Sequence, residues 1–209
     1  MERPENGRLI VFEGPDKVGK SKLVGRLISR LRKAGITCEN LAFPGKQKGT
    51  LGKLVYDLHH DEVPGLVHKD VNPTSLQVLH IAAHIDAIER QILPALSDGT
   101  WVVLDRYWWS TRVYGTVKGV PKSSLKAMIA LEQLHWGKVK PDVLFSVERE
   151  IDNPEYGRVA QDQVVKGYRE LANQEKNRSR VVTIQNDSSV EDALNAVWEV
   201  VAPIARRLT

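Results

Sequence analysis

Apolar and polar positions along the chain follow two alternating rhythms. Leu9-Ile10-Val11-Phe12, Trp101-Val102-Val103-Leu104, Val143-Leu144-Phe145 and Val181-Val182-Thr183-Ile184 are short runs, apolar at nearly every position. Successive strand residues point to opposite faces, so such runs predict strands of a parallel sheet covered on both sides. A further extended stretch, Thr37 to Phe43, leads into Pro44-Gly45. Between these runs the period lengthens to that of a helix. Leu23, Val24, Leu27, Ile28 and Leu31 share one helical face, and Gly35 supplies the stop. Asn72-Pro73 gives an N-cap and a first-turn proline to a long helix carrying Leu76, Leu79, Ile81, Ile85, Ile88 and Ile92. A terminal helix runs from about Val190 to Ala205. This alternation predicts an α/β fold with helices on both faces of a parallel sheet. Ligands of such sheets bind beyond the carboxyl ends of the strands, which directs attention to the residues after Phe12, Phe43, Leu104 and Val147. No repeat, low-complexity tract or long linker divides the chain, so residues 1–209 read as one domain.

Composition narrows the setting. The 209 residues are 42% hydrophobic and 27% charged, the profile of a single soluble domain. Thirty Lys and Arg against 26 Asp and Glu leave a net charge of +4. That excess is compatible with nucleic acid, an anionic membrane surface or small phosphorylated ligands. The lone cysteine, Cys38, excludes an internal disulfide or a multi-cysteine zinc site and suggests a reducing, cytoplasmic setting. Residues Met1 to Gly7 are polar, without the apolar core of a signal peptide, and no run approaches the ~18 apolar residues of a membrane span.

Directly after the first strand run comes Gly14-Pro15-Asp16-Lys17-Val18-Gly19-Lys20-Ser21, which fits the P-loop pattern G-x-x-x-x-G-K-[ST] at every fixed position. The glycines let backbone N–H groups turn inward around a phosphate, and the following helix adds its positive end. Lys20 reaches the terminal phosphates and the Ser21 hydroxyl completes a magnesium shell. Gly14, Lys17, Val18, Gly19, Lys20, Ser21 and Lys22 are thus the candidate ATP-binding residues. A guanine-reading Asn-Lys-x-Asp segment is absent, and the third strand ends in Asp105-Arg106 instead of Asp-Glu. An arginine beside the magnesium-side carboxylate suits an enzyme that holds a second anion close to the first. The pattern points to a kinase with two phosphate-bearing substrates.

Together with Phe43-Pro44-Gly45-Lys46, Asp105-Arg106-Tyr107 with Ser110, and Pro141-Asp142, the stretch Phe12 to Ser21 resembles the thymidylate kinase family of nucleoside monophosphate kinases. The motifs occur in the family's order and span essentially the whole chain. The resemblance implies a P-loop NTPase fold with a five-stranded parallel sheet, and magnesium-dependent transfer of the ATP γ-phosphate to a pyrimidine deoxynucleoside monophosphate, most of all dTMP. It also implies a homodimer, with nucleotides as partners and neither a nucleic-acid polymer nor a membrane. By the same resemblance Lys17, Lys20, Asp105 and Arg106 are catalytic, and Ser21 and Asp105 hold Mg2+. Asp16, Phe43, Lys46, His80, His84, Arg106, Ser110 and Tyr114 line the acceptor site. Lys17 and Lys46 stand where family members carry arginines, which keeps the charge and loses the planar fork.

Two regions depart from the family pattern. Its long helix carries an aromatic that stacks on thymine and, four residues on, an arginine that reads the base edge; here those positions are His80 and His84. Histidine stacks, donates and accepts, but its reach is shorter. At i and i+4 the two also match the spacing of zinc-binding histidines, though without a third ligand nearby, so packing or hydrogen bonding is the expectation. The second departure is a short lid over about residues 148–163, with Arg149 and Arg158 as closing charges near Asn153-Pro154 and Tyr156. Trp108 and Trp109 read as a partly buried cluster at a strand exit. These departures leave two alternatives beside dTMP phosphorylation. One is a kinase for another or modified nucleoside monophosphate; the other is a weakly active nucleotide-binding protein working through partner contacts.

Overall fold

The computed structural model describes residues 7–150 and 157–206. Five strands, β1 (Leu9–Glu13), β2 (Cys38–Ala42), β3 (Trp101–Asp105), β4 (Val143–Glu148) and β5 (Val181–Gln185), form one parallel sheet in the order β2-β3-β1-β4-β5. The apolar runs are its interior. Along β1, Leu9 and Val11 pack into one core while Ile10 and Phe12 pack into the other. The second core lies against α1 (Lys20–Lys33) and α8 (Val190–Ala205), through Leu23, Leu27, Leu31, Val197 and Val201 among others.

The opposite face is covered by helices whose pattern is weaker in the sequence. These are α3 (Pro73–Ala87), α4 (Leu93–Ser97), α5 (Trp108–Val117), α6 (Lys122–Trp136) and α7 (Gly157–Glu175). An outlying α2 (Leu51–His59) packs on α3. The expected single helix through Ile92 is interrupted: α3 ends at Ala87, and a π-helical turn over Ile88–Ile92 joins it to α4. That turn keeps Ile88 and Ile92 fully buried. The predicted apolar face of α3 is also rotated. Leu79 is exposed at 38%, and Gln77 and His84 are buried in its place. Trp108 and Trp109 are buried where β3 passes into α5, as a strand-exit cluster should be. Cys38 is a buried free thiol. Among the described residues no helix is long and apolar enough to cross a membrane.

The sheet order decides where the site falls. From β1 the chain crosses to the β2 side, and after β3 it crosses back to β4, so the loops after β1 and β3 meet at a topological switch point. The register aligns Phe12 with Asp105, and Arg106 N–H donates to Phe12 O at 2.8 Å. Glu13 and Arg106 therefore leave adjacent strands at the same level.

Candidate active site

The loop Gly14–Gly19 turns through three left-handed positions, Gly14 (φ 142°), Lys17 (φ 66°) and Gly19 (φ 92°). A Cβ on Gly14 would sit 2.3 Å from Val147 O, so only glycine fits. Gly19 caps α1 against Asn186, whose side chain donates to Val18 O at 2.7 Å. Asn186 lies just beyond β5 and ties the P-loop to the far side of the sheet. Lys20 is buried beneath the loop and donates to Gly14 O at 2.9 Å and Pro15 O at 2.6 Å. Burial, with the Arg106 cation adding to it, lowers its pKa to about 8. The Ser21 hydroxyl donates to Asp105 Oδ2 at 2.7 Å. Asp105 Oδ1 is buried without a hydrogen-bond partner among the described residues. A buried carboxylate oxygen left open beside a P-loop hydroxyl suits a hard cation or its water shell. Lys17 and Lys22 are exposed at the rim.

Beside this loop, Arg106 holds a left-handed backbone (φ 79°), an unusual state for a non-glycine residue. The turn brings its guanidinium to the loop after β1. There it pairs with Asp16 Oδ1 and donates to Ser110 Oγ at 3.0 Å, with the Tyr114 ring centroid 5.4 Å away. Tyr114 OH donates to Asp16 Oδ2 at 2.8 Å and accepts from Asp16 N–H at 3.0 Å. Asp16, Lys20, Ser21, Asp105, Arg106, Ser110 and Tyr114 thus come together around the ends of β1 and β3.

Glu13, which the apolar pattern leaves without a role between the first strand run and the P-loop, organises this cluster. It is fully buried, with Oε1 accepting from Tyr107 N–H at 2.7 Å and Ser110 N–H at 3.0 Å, and Oε2 from Ser110 Oγ at 2.8 Å. Having donated its one hydrogen there, the Ser110 hydroxyl accepts from Arg106 and meets Tyr168 OH at 2.9 Å. Burial raises the Glu13 carboxyl to about 7 against the pull of Arg106. The available signal was an acid closing an otherwise apolar run, which is costly unless donors await it.

Other predicted residues lie further out. Lys46 is exposed, with its ammonium 4.6 Å from the Tyr56 ring centroid. Phe43 is buried at the end of β2 and stacks on His84, ring centroids 4.0 Å apart. His84 Nδ1 meets Glu132 Oε2 at 2.8 Å, while His80 Nε2 meets His59 Nε2 at 2.7 Å. The two α3 histidines therefore turn to separate partners. Of the expected lid, Arg149 and Arg158 are exposed on either side, and Asn153, Pro154 and Tyr156 lie outside the described residues.

A phosphate-binding loop after the central strand, with an arginine folded back from the neighbouring strand end, defines the class: a P-loop nucleoside monophosphate kinase. The thymidylate kinase family model matches residues 12–197. The chain belongs to the thymidylate kinase family. Relatives include the thymidylate kinase of Bradyrhizobium sp. (strain ORS 278), 29% identical over 95% of this chain and 91% of that one. That of Bartonella henselae is 34% identical over 68% of this chain and 63% of its own. In structure the chain is similar to a thymidylate kinase from Ehrlichia chaffeensis (TM-score 0.76, 20% identity), covering 94% of this chain and 99% of that one, which shows a shared fold.

Proposed function

We propose that the chain transfers the γ-phosphate of ATP to dTMP, giving dTDP and ADP, and that the residues gathered at the ends of β1 and β3 perform the transfer. The observation that carries this assignment is the pair of cations on adjacent strand ends, Lys20 within the P-loop and Arg106 folded back toward Asp16. The P-loop backbone and Lys20 bind the ATP phosphates. Lys20 now donates to two carbonyls of its own loop, so phosphate oxygens exchange for existing hydrogen bonds and no buried ammonium is stranded. Arg106 binds the acceptor phosphate bidentately, and Asp16 and Tyr114 position the sugar beside it. Ser21 and Asp105 hold Mg2+, which supplies neutralisation of charge on the transferring phosphoryl group. Lys17, at the rim, meets the charge that develops on the γ-phosphoryl oxygens.

An oxygen of the acceptor phosphate attacks the γ-phosphorus in line, and the bond to the ADP oxygen breaks. The protein contributes placement and charge, so no nucleophilic side chain is required. Phe43 forms the wall behind the base, and Arg149 and Arg158 close the ATP side.

The single domain works as a homodimer in a reducing, cytoplasmic setting. Val78 and Leu79 on α3 and Leu131 and Leu134 on α6 are exposed at 51, 38, 46 and 77%, on helices that pack together. Exposed apolar side chains on two packed helices suit a subunit interface.

Purified protein with MgATP and a panel of nucleosides and monophosphates, scored by ADP release and product mass, tests the reading. Turnover is expected on dTMP and absent on thymidine; failure on every monophosphate despite ATP binding overturns it. Arg106→Ala should raise the KM for dTMP by about a hundredfold, the value of a bidentate charged contact, and move the KM for ATP by less than about threefold. Equal loss for both substrates removes Arg106 from the acceptor role.

A further inference from the structure

A second cleft opens among α5, α6 and α7. α6 and α7 both pack on α5 but make little contact with each other, and the gap between them reaches Leu144 of β4. Its volume is about 1250 Å3, beyond the about 300–1000 Å3 of ordinary ligand clefts. Among the described residues, neither the P-loop nor Asp105, Arg106, Ser110 or Tyr114 lines it. On α6, Lys122, Lys126, Ile129, Gln133 and Trp136 line the cleft at helical spacing, so one whole face of that helix is turned to it.

That face changes character along its length. At its start Lys122 and Lys126, with Arg112 on α5, are exposed cations that form no ion pair among the described residues. The two acids of the lining are already engaged, Glu170 by Lys166 at 3.9 Å and Glu175 by Arg178 at 3.3 Å. α6 also begins at Lys122 with no side-chain cap, which leaves its positive end open at the same place. The far end is aromatic. Trp136 meets Tyr107 edge-on with ring centroids 5.3 Å apart, and Trp108 and Trp109 continue the wall. Trp109 is fully buried, yet its Nε1–H has no acceptor among the described residues, a donor that buried indoles normally satisfy. Lys126 and Trp136 lie ten residues apart on α6, a distance of about 15 Å.

We propose that this cleft is a second nucleotide site, separate from the transfer site. It takes a nucleoside triphosphate with its phosphates among Arg112, Lys122 and Lys126 and its base against the tryptophans. Three unpaired cations exceed what the single carboxylate of an acyl ligand would neutralise, and they suit a chain of phosphates. The spacing from cations to aromatics is comparable with the span of an extended nucleoside triphosphate. An aromatic wall receives any base, because every base has a π-face. Gln133, Gln163 and Gln174 add neutral donors and acceptors along the sides.

Calorimetry tests this on protein whose transfer site is filled by adenosine and thymidine joined through five phosphates. ATP and dTTP are each titrated into the saturated protein, and one further equivalent of triphosphate is expected to bind. Lys122→Glu combined with Lys126→Glu should weaken that binding by about tenfold or more, with melting in the absence of nucleotide unchanged because both side chains are exposed. Ala130→Trp, which fills the cleft from an exposed position on α6, should have the same effect. Inorganic triphosphate should bind about tenfold more weakly than either nucleotide, since it has no base to stack. The proposal is overturned by the absence of residual binding, or by binding that a folded double-lysine variant leaves unchanged. Equal affinity for inorganic triphosphate, or uptake of oleate in place of the nucleotides, overturns it as well. If the five-phosphate compound itself fails to bind, the transfer assignment falls, and the loss caused by the lysine changes still decides the second site.

Discussion

Glu13 shows how one buried acid sets both geometry and pH response. Three donors converge on it, and through Ser110 it fixes the position of Arg106. Burial is the larger effect and raises its pKa from 4.5 to about 7. The folded protein then binds a proton between these values that the unfolded chain releases. Stability from this group is complete below pH 4.5 and is lost as pH rises through about 7. Glu13→Gln keeps the shape and removes the titration. Relative to the variant, the wild type should lose on the order of 2 kcal/mol between pH 5 and 8, read from denaturant midpoints. Parallel pH profiles for the two proteins would falsify this account. At the same scale, the convergence of Lys20, Ser21, Asp105 and Arg106 was legible because a P-loop and a strand-end Asp-Arg have few other uses. Glu13, His59, Tyr168 and Asn186 were not, because their roles are set by neighbours 21 to 168 residues away in the chain.

Among the elements, the strands were the most legible, since a strand buried on both faces has to be apolar along its length. All five lie where the runs placed them, with Glu13 as an extension of the first. Helices with a partly polar buried face were harder. α6 buries Glu132 between Leu125, Met128 and Trp136, and a glutamate at that position normally marks the solvent side. Only the arrival of His84 and the Trp136 indole makes its burial tolerable. The start of α3 was clear, its end was not. Asn72 Oδ1 accepts from Thr74 N–H at 2.9 Å and Ser75 N–H at 3.4 Å, as its sequence position suggests. Asn72→Ala should cost about 1 kcal/mol and lower the melting temperature by about 2–4 °C. No change in a calorimetric scan would mean that the cap is not limiting. The π-helical turn at Ile88–Ile92 answers to the sheet beneath it, keeping two isoleucines in the core.

For the whole molecule, the assembly and the base preference are the properties that matter most. If α3 and α6 form the subunit interface, Leu134→Glu combined with Val78→Glu should convert a dimer to a monomer in sedimentation at micromolar concentration. These residues are exposed, so the subunit fold should survive, with thermal stability changed by about 1 kcal/mol or less apart from the lost association. An unchanged sedimentation coefficient would move the interface elsewhere. The net charge of +4 also has a more specific meaning at this scale. Lys20 and Arg106 stand within the proposed phosphate site, where small anions would account for them without a polymer.

By itself the sequence determined the parallel α/β fold, the phosphate loop and the paired cations. Each depends on residue types whose physics is local: apolar runs, glycines at left-handed turns, a lysine and an arginine at strand ends. Tertiary structure decided what surrounds them. The crossing of α2 and α3 joins His59 to His80, α6 brings Glu132 to His84, and the β1–β3 register sets Arg106 over Asp16. Hydrogen bonds between distant segments have no periodicity along the chain, so only folding reveals which polar group meets which.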